Sequence, residues 1–68
     1  MIKKFVNGWV IKIGKKYISE KGDLALLRKA KFFTNEKKVK EWEEKNPNKP
    51  HLVLKAEKNR TTYSIKIK

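Results

Sequence analysis

Apolar positions along this chain recur with two different periods. Trp9, Ile11 and Ile13 alternate with Val10 and Lys12, the period of two expected of a half-buried strand. Gly14-Lys15 follows and fits the central positions of a type II′ turn, where glycine supplies the positive φ that matches the strand twist. That register sets Ile13 opposite Lys16, Lys12 opposite Tyr17 and Ile11 opposite Ile18, so Ile18 joins the core face and Tyr17 joins Lys12 on the other. The closing stretch, residues 61–68, alternates in the same way, with Tyr63, Ile65 and Ile67 on one face and Thr62, Ser64, Lys66 and Lys68 on the other.

The middle of the chain changes character. SEKGD, from Ser19, is turn-like, and LALLRKA predicts one or two helical turns with Leu24, Leu26 and Leu27 packing inward. KFFT, residues 31–34, reads as a short strand feeding the next element. Over NEKKVKEWEEKN, residues 35–46, the pattern becomes helical. Thr34 or Asn35 can cap the first turn by accepting a hydrogen bond from an otherwise unpaired N–H, and Pro47 enforces the stop. Val39 and Trp42 give the helix a narrow apolar stripe, while Glu36/Lys40, Lys37/Glu41, Lys40/Glu44 and Glu41/Lys45 form opposite-charge pairs one turn apart.

After the PNKP turn, HLVLKAE reads as a strand with Leu52, Leu54 and Ala56 inward, and KNR as a polar connection. The predicted order is β-β-(short α)-β-α-β-β, an α+β fold. Two hairpins and a short strand form an antiparallel sheet with one helix on its apolar face, because isolated hairpins are marginal. The opposite face of that sheet is predicted to be open to solvent.

Length makes the core the limiting resource: 68 residues allow one domain, near the size at which a core holds without staples. Cysteine is absent, which excludes disulfides and thiolate metal sites and favours a reducing, cytoplasmic setting. There is no apolar run of membrane-spanning length, and MIKKFVNGWVIKIGKK lacks the apolar core and cleavage site of a signal peptide. The expectation is a soluble, mature chain without membrane contact.

Charge changes the picture most. Nineteen basic residues against seven acids leave a net charge of +12, which favours a polyanionic or acidic partner. Nearly all the cations are lysines, strongly hydrated point charges that also serve solubility alone, whereas arginine is the better bidentate phosphate reader. Catalytic constellations are missing. His51 is the only histidine and reads as a strand-end residue, Ser19 and Ser64 have no nucleophile elbow or base, and Gly8, Gly14 and Gly22 are too scattered to cradle a phosphate. Glu41, Glu43 and Glu44 sit on a lysine-rich helix face, better read as solvated than as paired acid/base groups. No enzyme, metal site or cofactor is predicted.

Two basic surfaces emerge as candidate polyanion or partner sites. The first is the open sheet face, where Lys12, Lys16, Lys55, Lys66 and Lys68 are expected to project with Val10 and Tyr17 between them, cations interleaved with an aromatic as in single-strand binders. The second is Arg28, Lys29 and Lys31 together with Lys37, Lys38 and Lys40, around the start of the helix, whose N–H donors and dipole favour an anion. The plain alternative holds for both: amphipathic strands need a polar face, and edge lysines suppress aggregation. Trp9 and Trp42 read as core ahead of interface anchors. Phe32 and Phe33, being adjacent in a strand, must point to opposite faces, which makes one a candidate exposed aromatic.

The spacing W-V-I-K-I-G-x-K-Y over Trp9–Tyr17, then A-K-x-F-T-x-x-x-x-V-x-x-W over Ala30–Trp42, resembles small accessory proteins of phages and prophages of low-GC Gram-positive bacteria. The resemblance implies a factor acting in the bacterial cytoplasm that binds and disables a host target, such as a replication or transcription protein or a defence nuclease, as anti-CRISPR proteins do. Many such inhibitors are acidic nucleic-acid mimics, and this basic chain departs from that pattern. The expected partners are therefore DNA or RNA, or alternatively an acidic host protein or ribonucleoprotein. The chain itself is expected to be a monomer or an edge-strand dimer.

Overall fold

A computed structural model describes residues 4–68; Met1–Lys3, part of the stretch read as lacking a signal peptide, lie outside the described residues. Five strands form one antiparallel sheet: β1 (Phe5–Ile13), β2 (Lys16–Ile18), β3 (Leu24–Ala25), β4 (Leu52–Asn59) and β5 (Ile65–Ile67), in the spatial order β3-β2-β1-β4-β5. One helix, α1 (Glu36–Lys45), and a single 3-10 turn, Leu27–Lys29, complete the α+β fold.

The first hairpin has the expected register, Ile13 opposite Lys16 and Lys12 opposite Tyr17, around a Gly14 with φ of 63°. β1 starts four residues before the predicted strand and is the spine of the sheet, pairing with β4 from Phe5↔Asn59 to Lys12↔Leu52. Where β2 ends, Phe33 takes its place beside β1. Its N–H donates to the Trp9 carbonyl and its carbonyl accepts from the Trp9 N–H, both at 2.8 Å. The strand expected at KFFT is thus reduced to one bridging residue. Gly8 permits this crossing: a Cβ there would stand 2.3 Å from the Phe33 carbonyl oxygen and 2.7 Å from the Phe32 ring.

Directly opposed residues share a face, so the register defines two apolar faces. One carries Trp9, Ile11, Ile13 and Ile18, covered by Phe33 and by Val39 and Trp42 of α1. The other carries Val10, Tyr17, Leu54, Ala56 and Ile65, covered by Leu27, Ala30 and Phe32. The expectation of an open second face is therefore wrong. The sheet curls until the 3-10 turn meets β5, and the curl closes over Val10 and Ala56, both fully buried. A small chain gains from burying both sheet faces, since each adds apolar area removed from water.

Several inward assignments change with the curl. Leu27 is half-buried, but Leu24 and Leu26 are 48% and 59% exposed, because Leu24 lies in the edge strand β3 and Leu26 immediately precedes the turn. Leu52 is 61% exposed at the open start of β4. Phe32 and Phe33 do point to opposite faces, yet each packs into an apolar cluster, so neither is an exposed aromatic.

α1 forms where expected. Asn35 is the N-cap, its Oδ1 accepting from the Lys37 N–H at 2.9 Å, and Asn46 Nδ2 donates to the Trp42 carbonyl at the other end. The opposite-charge pairs on its surface do not close into ion pairs. Among the described residues the one salt-bridge contact is His51–Glu43.

Candidate nucleic-acid interface

The register separates the lysines that were expected on one face. Lys12 and Tyr17 lie on the Val10 face, where Tyr17 packs against the core and is not free to stack. Lys16 lies opposite Ile13 and so belongs to the other face, as the pairing requires. Lys55 sits opposite Trp9 and Lys66 opposite Glu57, also on that other face. Lys68 bonds through Nζ to Asn7 Oδ1 and through its N–H to the Lys55 carbonyl. The helix-start group splits as well. Lys31 and Lys38 line a shallow cleft with Trp42 and Lys45, the Lys31 ammonium 5.2 Å from the Phe33 ring centroid. The N–H groups of Lys37, Lys38 and Val39 are already taken by Asn35, which removes them as anion donors.

Arg28 and Lys29 go elsewhere, into a separate recess. Where the curl brings the 3-10 turn against the β4–β5 hairpin, a groove of about 540 Å³ opens. Ala30 and Ile65, both buried, lie at its base. Arg28 and Lys29 supply cations from one side and Lys58 from the other, with Lys21 contributed by the β2–β3 turn. Glu20 and Asp23, from that same turn, are the carboxylates of the lining. None of these cations has a carboxylate within 4 Å among the described residues, and the four cations outnumber the two carboxylates around the groove.

Tyr63 completes the rim, and the sequence pattern had placed it on the inner face of a closing strand. Instead that strand is only three residues long, because Asn59 organises the preceding chain into a turn. Asn59 Oδ1 accepts from the N–H groups of Thr61 at 2.7 Å and Thr62 at 3.2 Å, and its carbonyl accepts from the Tyr63 N–H at 2.8 Å. The Asn59 N–H closes the loop onto the Ser64 carbonyl at 2.8 Å. Tyr63 is thereby held at a φ of 58°, with 70% of its surface exposed and the Lys58 ammonium 5.7 Å from its ring centroid. The signal that could have found it is an asparagine just before the expected strand, at Asn59 in Asn59-Arg60-Thr61-Thr62, since asparagine side chains capture N–H groups two and three residues on.

His51 was read as a bland strand-end residue and is a clasp. Nδ1 lies 2.8 Å from the Lys49 carbonyl and Nε2 lies 2.7 Å from a Glu43 carboxylate oxygen. Both partners are acceptors, so both ring nitrogens must donate, which only the imidazolium can do. The Lys49 carbonyl first, and then the Glu43 hydrogen bond, raise its pKa above the ordinary histidine value; burial opposes them and the Glu43 charge adds a lesser rise. The ring also packs edge-on against Trp42 at 4.9 Å between centroids. His51 therefore ties the end of α1 to the start of β4, a structural task away from the groove.

Among the described residues no group of three metal-ligating side chains occurs, and no helix is long and apolar enough to cross a membrane. Comparison with known protein families, curated proteins and solved structures gives no match to this chain.

Proposed function

We propose that this chain is a small, non-enzymatic binding protein that engages nucleic acid through the basic groove between the 3-10 turn and the β4–β5 hairpin. The observation that carries this reading is the gathering of Arg28, Lys29 and Lys58 around one recess with no carboxylate in salt-bridge contact. Cations in excess of the lining carboxylates and not tied up in salt bridges attract phosphate, and each contact releases condensed counterions. The remaining lysines, spread over both sheet faces and α1, supply a long-range attractive field and speed encounter. A phage-type accessory protein acting on a nucleic-acid-handling complex is consistent with this chemistry.

Fluorescence anisotropy with a labelled oligonucleotide tests the proposal. Three phosphate contacts predict that affinity falls roughly 20-fold between about 50 and 200 mM salt. The triple charge reversal Arg28→Glu/Lys29→Glu/Lys58→Glu should abolish binding, while Lys12→Glu/Lys16→Glu/Lys66→Glu should weaken it only modestly. Absence of binding at low salt, or equal loss from the two triple variants, would overturn it.

A second reading rests on the edge strand β3. Leu24, in β3 and at the groove, and Leu26, just past the strand, are 48% and 59% exposed, the kind of apolar contact that anchors a protein partner. On this reading the chain is an inhibitor that occludes an acidic host protein or ribonucleoprotein. A discrete partner in a pulldown, lost with Leu24→Ser/Leu26→Ser and retained with the basic-groove triple, would favour it.

A further inference from the structure

We infer that the groove takes unpaired nucleic acid, with Tyr63 as a platform on which one base stacks while Arg28, Lys29 and Lys58 hold the flanking phosphates. This rests on the nucleic-acid reading of the groove and names its substrate as single-stranded.

Three observations converge on Tyr63. Its φ of 58° lies in the left-handed region, which disfavours a side chain as large as tyrosine. It is kept there by the Asn59-centred turn. Its ring belongs to neither apolar cluster and stays 70% exposed at the rim of the groove. An aromatic held in an unfavourable backbone conformation, outside both apolar clusters, has the Lys58 ammonium over one face and the rest of its ring exposed at a fixed place beside the groove. Stacked aromatics alternating with phosphate-holding cations are how sequence-tolerant single-strand binders work, because every base has a π-face. The Lys58 ammonium, close to both the ring and the groove, can serve the phosphate next to a stacked base.

A duplex keeps its bases stacked within the helix and has none to lay on Tyr63, whereas a recess of about 540 Å³, on the scale of a small-ligand pocket, has room for a splayed-out base. The carboxylates of the lining, Glu20 and Asp23, come from the single β2–β3 turn. Negative charge is thus confined to one loop and leaves the Arg28–Lys29 and Lys58 sides free for phosphate.

The test compares a fluorescein-labelled oligothymidylate of about 12 nucleotides with an abasic strand and a hairpin duplex of matching length. The wild-type chain should prefer the oligothymidylate to both. Tyr63→Ala should weaken oligothymidylate binding about tenfold, leave the abasic strand unaffected, and be rescued by Tyr63→Phe. Tyr63→Gly, which suits the left-handed backbone, should show the same loss in a chain whose fold is secure. The neutralising pair Glu20→Gln/Asp23→Asn should tighten binding to every probe. If Tyr63→Ala binds oligothymidylate like the wild type, or the abasic strand or duplex binds as tightly as oligothymidylate, stacking falls while phosphate binding by the groove stands. If none of the probes binds at low salt, the nucleic-acid reading falls and stacking falls with it.

Discussion

Replacing Gly8 with alanine should nearly unfold this protein, although alanine is the better strand residue by about 0.5–1 kcal/mol. The new Cβ would stand 2.3 Å from the Phe33 carbonyl oxygen and 2.7 Å from two atoms of the Phe32 ring. The nearer neighbour is backbone and cannot rotate away. Restoring ordinary contact requires Phe33 to retreat by about 1 Å, which breaks both 2.8 Å hydrogen bonds between Phe33 and Trp9. Two such bonds contribute about 2 kcal/mol together. Phe33, 2% exposed, and Phe32 are then displaced from opposite clusters, an overpacking strain of about 1–3 kcal/mol. Less the strand-propensity gain, the net loss is about 3 kcal/mol, against a total of roughly 3–10 kcal/mol for a domain of this length. Urea unfolding followed by the fluorescence of Trp9 and Trp42 reads it directly. With a slope of about 1 kcal/mol/M the midpoint should drop by about 3 M, or the folded baseline should vanish. Gly14→Ala is the control, having open space around its Cβ and only a φ of 63° to offend, for a loss of about 1 kcal/mol. A Gly8→Ala midpoint no lower than that of Gly14→Ala would refute the crossing of Phe32–Phe33 over β1.

Other expectations follow from the same contacts. His51 has a folded-state pKa above its unfolded value, so its stabilisation is fully present below about pH 6.5 and is lost as pH rises through the folded pKa; the urea midpoint should fall as pH rises above about 6.5 in the wild type and stay nearly flat in His51→Gln. Tyr63→Gly relieves a left-handed tyrosine and should raise thermal stability by about 0.5–1 kcal/mol, so the same substitution should strengthen the fold and weaken oligonucleotide binding. Asn35→Ala removes the side chain that accepts from the Lys37 N–H and should cost about 1 kcal/mol in chemical denaturation, with Asn35→Ser recovering most of it.

What could be read from the residues alone were the local, periodic features. The β1–β2 hairpin follows from alternation and from Gly14, whose φ the turn needs. α1 follows from Asn35, the Val39–Trp42 stripe and Pro47, all within one short window. The structure departs from that reading where a distant segment decides the outcome, as in the curl of the sheet, and where one local turn overrides an alternating pattern, as at Asn59. Alternation assigns residues to two faces but does not say that both are buried; the curl that brings Ala30 and Ile65 together over Val10 is made by contacts far apart in the chain. Lys16, expected beside Lys12, lies opposite Ile13 and therefore on the Trp9 face, which the hairpin register itself requires. Tyr63 continued a clean alternation, yet Asn59 drew the backbone into a turn and left the ring outside.

The candidate site divides in the same way. The excess of positive charge and the candidacy of Arg28 and Lys29 belong to composition and order along the chain. Their union with Lys58 and Tyr63 in one groove does not, because those residues lie some thirty positions further on and meet only when the sheet curls. The sequence by itself determined the hairpin, the helix and the charge, which are settled by neighbours a few residues apart. Tertiary structure alone decided which lysines share a surface, because face and proximity depend on how a twisted sheet closes on itself.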